Sequence, residues 1–199
     1  MCRFALSLLL CAQLSAQASK LTDPAKLTEK APDKFRAKFT TTKGEFTIAV
    51  TRAWAPLAAD RFYNLVKNGF YNGTGFHRVL PGFVVQFGIN GSPAIQSKWE
   101  KAPIKDESVK MSNTLGLVAF SANGAHSRST QIYINLKDNK SLDRQGFPVF
   151  GDVVQGIGIL ARLYNCGEKP SQEAIIKQGN AYLKRAFPQL DYVTKAVIE

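Results

Sequence analysis

Two short runs of alternating residues constrain this chain most. Phe35, Ala37 and Phe39 recur at every second position, Phe46, Ile48 and Val50 repeat the pattern, and Lys43-Gly44 sits between them as turn material. Successive side chains on a strand point to opposite faces, so such runs bury an apolar face only as a β-hairpin laid on something else. The period changes over residues 54–68, where Ala58, Phe62, Leu65 and Val66 share one helical face, Pro56 suits the first turn and Gly69 supplies a stop. β-rich runs follow at 76–87, 115–120, 131–135 and 148–154, separated by loops rich in Gly, Asn, Ser and Lys, and 157–164 reads as a short helix. Antiparallel strands closed into a barrel, with helices over the open ends, satisfy this order; composition alone fits a two-layer α+β sheet equally well.

The two ends of the chain differ from this middle. Arg3 precedes an apolar run over 4–14 that is too short to span a bilayer, and Ala16-Gln17-Ala18 is a small-x-small site. This pattern predicts a signal peptide, residues 1–18, cleaved after Ala18, and an exported product, periplasmic or secreted. Cys2 and Cys11 leave with it, so Cys166 remains without an internal disulfide partner. Residues 19–33 are polar with two prolines and predict a flexible lead-in. Beyond residue 166, Ser171 is placed to cap a helix running through Arg185, on which Ile176, Gly179 and Leu183 align along one face. Pro188 ends that helix, and 190–197 predicts a last one.

The formal charge of +11 favours acidic or anionic partners, but its lysines and arginines are interspersed with acidic residues and form no run interleaved with stacking aromatics. Nucleic acid is therefore not an expected partner. Neither His77 nor His126 has a carboxylate or cysteine at metal-ligand spacing, and there is no Gly-x-Ser-x-Gly elbow or phosphate-cradling loop.

One string does carry chemistry. Phe76-His77-Arg78-Val79-Leu80-Pro81-Gly82-Phe83, followed by Gln86, sets an arginine in an aromatic and apolar run. Two further blocks lie downstream: Leu117-Val118-Ala119-Phe120-Ser121-Ala122-Asn123-Gly124 with Ser129-Thr130-Gln131-Ile132-Tyr133-Ile134, and Leu142-Asp143 with Val149-Phe150-Gly151. Their order resembles the cyclophilin family of peptidyl-prolyl cis-trans isomerases. The resemblance implies a mainly β chain, a closed antiparallel barrel capped by two helices over residues 34–166, with a helical C-terminal extension over 167–199. It implies that Arg78 stabilises a twisted X-Pro amide, with Gln86 bonding the substrate backbone or holding Arg78. Phe83, Val84, Tyr133 and Leu142 would receive the proline ring, with Phe147 at the rim. Ser121, Ala122 and Asn123 would offer backbone groups to an extended peptide, and Gln131 would line the polar side.

The chain departs from the family's usual pattern at Ser141, where many relatives carry an aromatic, at Tyr133, whose hydroxyl needs a partner, and over Phe87-Gly88-Ile89-Asn90. Read without the resemblance, Phe83 and Val84 are strand core and Arg78 an ordinary ion-pair residue. The expected enzyme needs no cofactor, acts as a monomer on proline-containing segments of unfolded or partly folded proteins, and has no stable membrane insertion. The rivals are a cyclophilin-fold chaperone or scaffold with little turnover, and a basic adaptor for an anionic surface.

Overall fold

The computed structural model describes residues 20–199, so the expected signal peptide lies outside the described residues. The hairpin is β1 (Lys34–Thr41) and β2 (Gly44–Thr51), in a register that sets Phe39 opposite Phe46. Phe35, Ala37, Phe39, Phe46, Ile48 and Val50 are all buried, which is the face the alternation marked. The run at 76–87 is a second hairpin, β3 (Arg78–Leu80) and β4 (Val84–Phe87), because Pro81-Gly82 turns the chain, Gly82 having φ 71°. β5 (Leu117–Phe120), β6 (Ile132–Asn135) and β7 (Val149–Gln155) fall within a residue or two of the expected strands.

Among the described residues, antiparallel ladders join these seven strands and β8 (Val193–Ile198) in the order β3-β4-β6-β5-β7-β2-β1-β8. The sheet curls on itself. Residues just before β3 meet the start of β8 and the residues before it: the Phe76 amide donates to the Asp191 carbonyl at 3.0 Å, and the Val193 amide to the Thr74 carbonyl at 2.9 Å. The interior holds an aromatic stack. Phe39 lies 4.9 Å from Phe46 and 5.7 Å from Phe87, and Phe150 lies 4.9 Å from Phe62 of α1 (Pro56–Lys67). The first turn of α1 has no side-chain cap of its own. Its Leu57 and Ala58 amides instead donate to the Glu107 carboxylate at 2.6 and 3.1 Å, and the buried Arg128 guanidinium holds that carboxylate at 3.0 Å. An acid brought from elsewhere thus satisfies amides that the helix leaves open.

The chain differs from the sequence reading in five places. A helix absent from the reading, α2 (Pro93–Trp99), sits in the segment before Glu107 and buries Trp99 completely. The Trp99 ring N–H donates to the Leu21 carbonyl at 2.8 Å, and Leu21 and Ala31 are buried, so the lead-in is seated on the barrel. The second capping helix shrinks to one turn, α3 (Ile157–Leu160). The single helix expected from Ser171 is two, α4 (Gln172–Gln178) and α5 (Asn180–Ala186). Ser171 does cap α4, accepting from the Ala174 amide at 3.2 Å, but Gly179 breaks the run with φ 62° and ψ −149°. The helix expected over 190–197 is a strand, β8 (Val193–Ile198), paired with β1. Val193, Thr194, Val197 and Ile198 are β-branched, and the open edge of β1 offers them main-chain partners that a helix would forgo.

Gly179 is a position where only glycine fits. A Cβ there would lie 2.1 Å from the Gly91 carbonyl oxygen and 2.8 Å from Pro93 Cδ, in a backbone region that costs other residues about 1–3 kcal/mol. Gly179→Ala should therefore lower unfolding stability in urea by at least about 1 kcal/mol. A midpoint equal to wild type would refute the tight α2–α4 junction described here.

Candidate active site

Strand register gathers the functional side chains into a row. Arg78 on β3 is opposite Gln86 on β4, Gln86 opposite Tyr133 on β6, Tyr133 opposite Ala119 on β5, and Ala119 opposite Val149 on β7. Opposed residues share a face, so these five side chains cross the sheet on its outer side, arginine at one end and apolar groups at the other. Their neighbours in sequence, Val79, Val85, Ile134, Val118 and Phe150, point into the barrel core. The strands are thus buried on both faces, one face being a groove.

The groove encloses about 620 Å³ and is lined by all of Arg78, Phe83, Val84, Gln86, Ser121, Ala122, Asn123, Gln131, Tyr133, Leu142 and Phe147. At its apolar end Val84, Ala119, Tyr133, Leu142 and Val149 form a cluster separate from the barrel core, with Phe83, Phe147, Leu117 and Trp54 against it. Tyr133 and Phe147 meet edge to face at 5.8 Å. At the polar end the Gln86 amide donates to Gln131 Oε1 at 2.8 Å and to Ser121 Oγ at 3.2 Å, and Gln86 Oε1 accepts from Arg78 Nη1 at 3.4 Å. The Arg78 guanidinium carbon stands 5.5 Å from the centre of the Phe83 ring. Ser141 is exposed.

Several residues of the site were not marked by the sequence. The Tyr133 hydroxyl finds its partner in Asn113, donating to Oδ1 at 2.8 Å. Burial pushes the Tyr133 phenol up, so it stays protonated and keeps donating. Asn113 is fixed in turn: its side-chain amide donates to Asp143 Oδ1 at 2.8 Å and to the Phe147 carbonyl at 2.9 Å. Burial raises the Asp143 carboxyl, but hydrogen bonds from Ser112 and Asn113 outweigh it and hold the group below its ordinary value. Asn139 ties the opposite wall, donating to the Phe83 carbonyl at 2.9 Å and to Asn135 Oδ1 at 2.9 Å. Glu168 Oε1 accepts from Arg78 Nε at 2.7 Å and from Nη2 at 2.5 Å. Gln96, Glu100 and Gln172 add polar groups to the groove from α2, the residue after it, and α4. His77, next to Arg78 in the string, is buried, and burial pushes its imidazole down to about 4, so it is neutral at pH 7.

This arrangement contains a cation held by hydrogen bonds, an apolar pocket and side-chain amides on one face of the sheet. The model of one protein family, the cyclophilin type peptidyl-prolyl cis-trans isomerase/CLD, matches residues 36–180. The chain belongs to this family. It is 36% identical over 131 residues to a peptidyl-prolyl cis-trans isomerase of Acinetobacter baylyi, covering 63% of this chain and 69% of that one. It is 35% identical over 134 residues to peptidyl-prolyl cis-trans isomerase B of Escherichia coli, covering 63% and 81%. A crystal structure of a Cryptosporidium parvum cyclophilin type isomerase superposes with a TM-score of 0.61 at 19% identity, covering 83% of this chain and 98% of that one. The same parasite protein has been solved in the presence of the dipeptide Ala-Pro, with a TM-score of 0.60. The chain is a cyclophilin-type peptidyl-prolyl cis-trans isomerase with the fold of these relatives. The match extends past residue 166 into α4 and α5.

Asp143 gives the pocket wall a pH signature. Its folded pKa is depressed, so its contribution is fully present above the unfolded-chain value of about 3.9 and is lost as pH falls through the lower folded value. Asp143→Asn should cost about 1.5 kcal/mol at pH 7, as for a hydrogen bond to a charged group. That gap should shrink as urea unfolding is repeated towards pH 2, and a gap independent of pH would count against the ionised Asp143 contacts.

Proposed function

We propose that Arg78 accelerates X-Pro rotation by stabilising the twisted amide, and that the substrates are proline-containing segments of exported proteins during folding. Rotation about a peptide bond faces a barrier of about 18–20 kcal/mol, and X-Pro isomerisation takes roughly tens to hundreds of seconds unaided. No bond is made or broken. The catalyst only has to bind the twisted amide better than the planar one. In the twisted state the prolyl nitrogen regains a lone pair, and a fixed guanidinium beside it strengthens its hold at that moment. Arginine stays protonated, so the donor is present at any physiological pH.

The observation that carries this reading is the cross-strand row. It sets the guanidinium of Arg78 and the apolar cluster around Tyr133 on one face, with Gln86 between them. A proline ring seated against Phe83, Val84, Tyr133, Leu142 and Phe147 puts its nitrogen on the Arg78 side of the groove. The peptide backbone then runs along Ser121, Ala122 and Asn123, with Gln131 and Gln86 on the polar wall. Export rests on residues 1–18, and the mature chain then begins at Ser19. Among the described residues, no helix is long and apolar enough to cross a membrane.

Two measurements test this. Exchange NMR on a short X-Pro peptide should show fast cis-trans exchange with wild type and a loss on the order of 10²-fold with Arg78→Ala, about 2.7 kcal/mol of transition-state stabilisation. Arg78→Lys should fall between, since it keeps the charge but not the planar fork. Peptide binding without accelerated exchange would favour the chaperone reading instead. N-terminal sequencing of the exported protein should start at Ser19, and an intact Met1 in the exported product would overturn the cleavage assignment.

A further inference from the structure

We propose that Glu168 is a positioning residue for Arg78, delivered to the groove by the C-terminal extension. The proposal rests on the reading of Arg78 as the catalytic cation. The delivery is a matter of register. Val79 and Gly167 form an isolated antiparallel bridge, each amide donating to the other's carbonyl, at 3.3 and 3.2 Å. In an antiparallel pair, one step back on one chain is opposite one step forward on the other, so Glu168 faces Arg78. The residue on the other side of the bridge is pinned as well: Cys166 is buried and its thiol donates to the Phe76 carbonyl at 3.4 Å. Gly167, with φ 59°, makes the left-handed turn that follows. Two residues separated by 90 positions are thereby set side chain to side chain.

The contact constrains the guanidinium along one edge. Glu168 Oε1 takes both Nε–H and Nη2–H, which fixes the plane and the rotation of the group. The remaining nitrogen, Nη1, is the one that faces Gln86 in the groove. The Phe83 ring lies 5.5 Å from the guanidinium carbon, so three neighbours on three sides define one orientation. An arginine side chain otherwise samples many rotamers. Stabilising a developing lone pair requires the donor to be aimed before the amide twists, because reorganising it at that moment would consume the gain. The carboxylate also draws on the positive charge of Arg78. Glu168 is 64% exposed, so water screens that loss, while two donors on one oxygen still favour a single orientation of the fork. Orientation therefore outweighs neutralisation.

The test compares wild type, Glu168→Gln, Glu168→Ala and Arg78→Ala, with kcat and KM taken from exchange NMR over a range of X-Pro peptide concentrations. Glu168→Ala should lower kcat about tenfold and leave KM within about twofold, since the groove walls are untouched. Glu168→Gln, whose amide oxygen still accepts one bond, should fall between. The Arg78 Nε–H resonance should be protected from solvent exchange in wild type, weakened in Glu168→Gln and lost in Glu168→Ala, while the urea midpoint stays near wild type. A Glu168→Ala variant with unchanged or higher kcat overturns the proposal. If Arg78→Ala collapses and Glu168→Ala does not, only the role of Glu168 fails. If Arg78→Ala keeps wild-type turnover, the catalytic reading of Arg78 fails and this proposal with it.

Discussion

Both edges of β3 are occupied, and the site depends on that. The strand is three residues long, too short to hold a fixed direction by itself. One edge pairs with β4, and the other meets the Cys166–Glu168 run at Val79 and Gly167. Just upstream, residues 73–76 pair with 191–193 at the closure of the curled sheet. Gly75 lies in that closure because a Cβ there would come within 2.9 Å of both Leu183 and Leu190. The last third of the chain therefore fixes the strand that carries Arg78, and a catalytic role for Arg78 would draw on residues far from the string that contains it.

The sheet works as a wall with two furnished sides. Inside, rings from β1, β2, β4, β7 and α1 fill the barrel. Outside, Gln86 on β4 and Tyr133 on β6 line the groove, and Ala119 on β5 and Val149 on β7 pack beneath its apolar end. A strand buried on both faces keeps its register strongly, since a slip by one residue would exchange the groove residues for core residues all at once. That gives the groove a backbone as rigid as the core. It also explains why Val84 reads equally well as core from the sequence alone: β4 is buried at every position, and alternation has no contrast to show.

What could be read from the sequence follows the same physics. The 35–50 hairpin and α1 were legible because one face of each is buried and the other is not, so the period is visible. β8 was not, because its burial pattern is irregular and its register with β1 shifts at Thr40 and Thr41, which breaks the alternation. Gly179 reads from the sequence as part of one continuous helix. Its spacing from Ile176 and Leu183 fits close helix packing, whereas its actual role is to end one helix and start another against the Gly91 carbonyl. The hydroxyl of Tyr133 announced a missing partner, yet nothing local named Asn113, which lies in a loop twenty positions earlier. Glu168 carried no signal at all, because its meaning comes from one bridge between distant segments.

The two ends of the groove face different demands. A proline ring in an apolar pocket needs shape, and the Asn113, Asp143 and Asn139 hydrogen bonds supply it by tying three loops to Tyr133, Phe147 and Phe83. None of these polar groups enters the pocket; they hold its walls from behind, where burial strengthens each bond. A guanidinium beside a twisting amide needs aim, and aim cannot come from an apolar wall. It requires directional partners, which here are Gln86 in front and Glu168 behind. Because the reaction changes only a dihedral angle, rate is set by how little these groups move as the amide turns. A curled sheet buried on both sides, with the edge that carries Arg78 pinned by the returning chain, would meet that requirement if Arg78 acts as proposed.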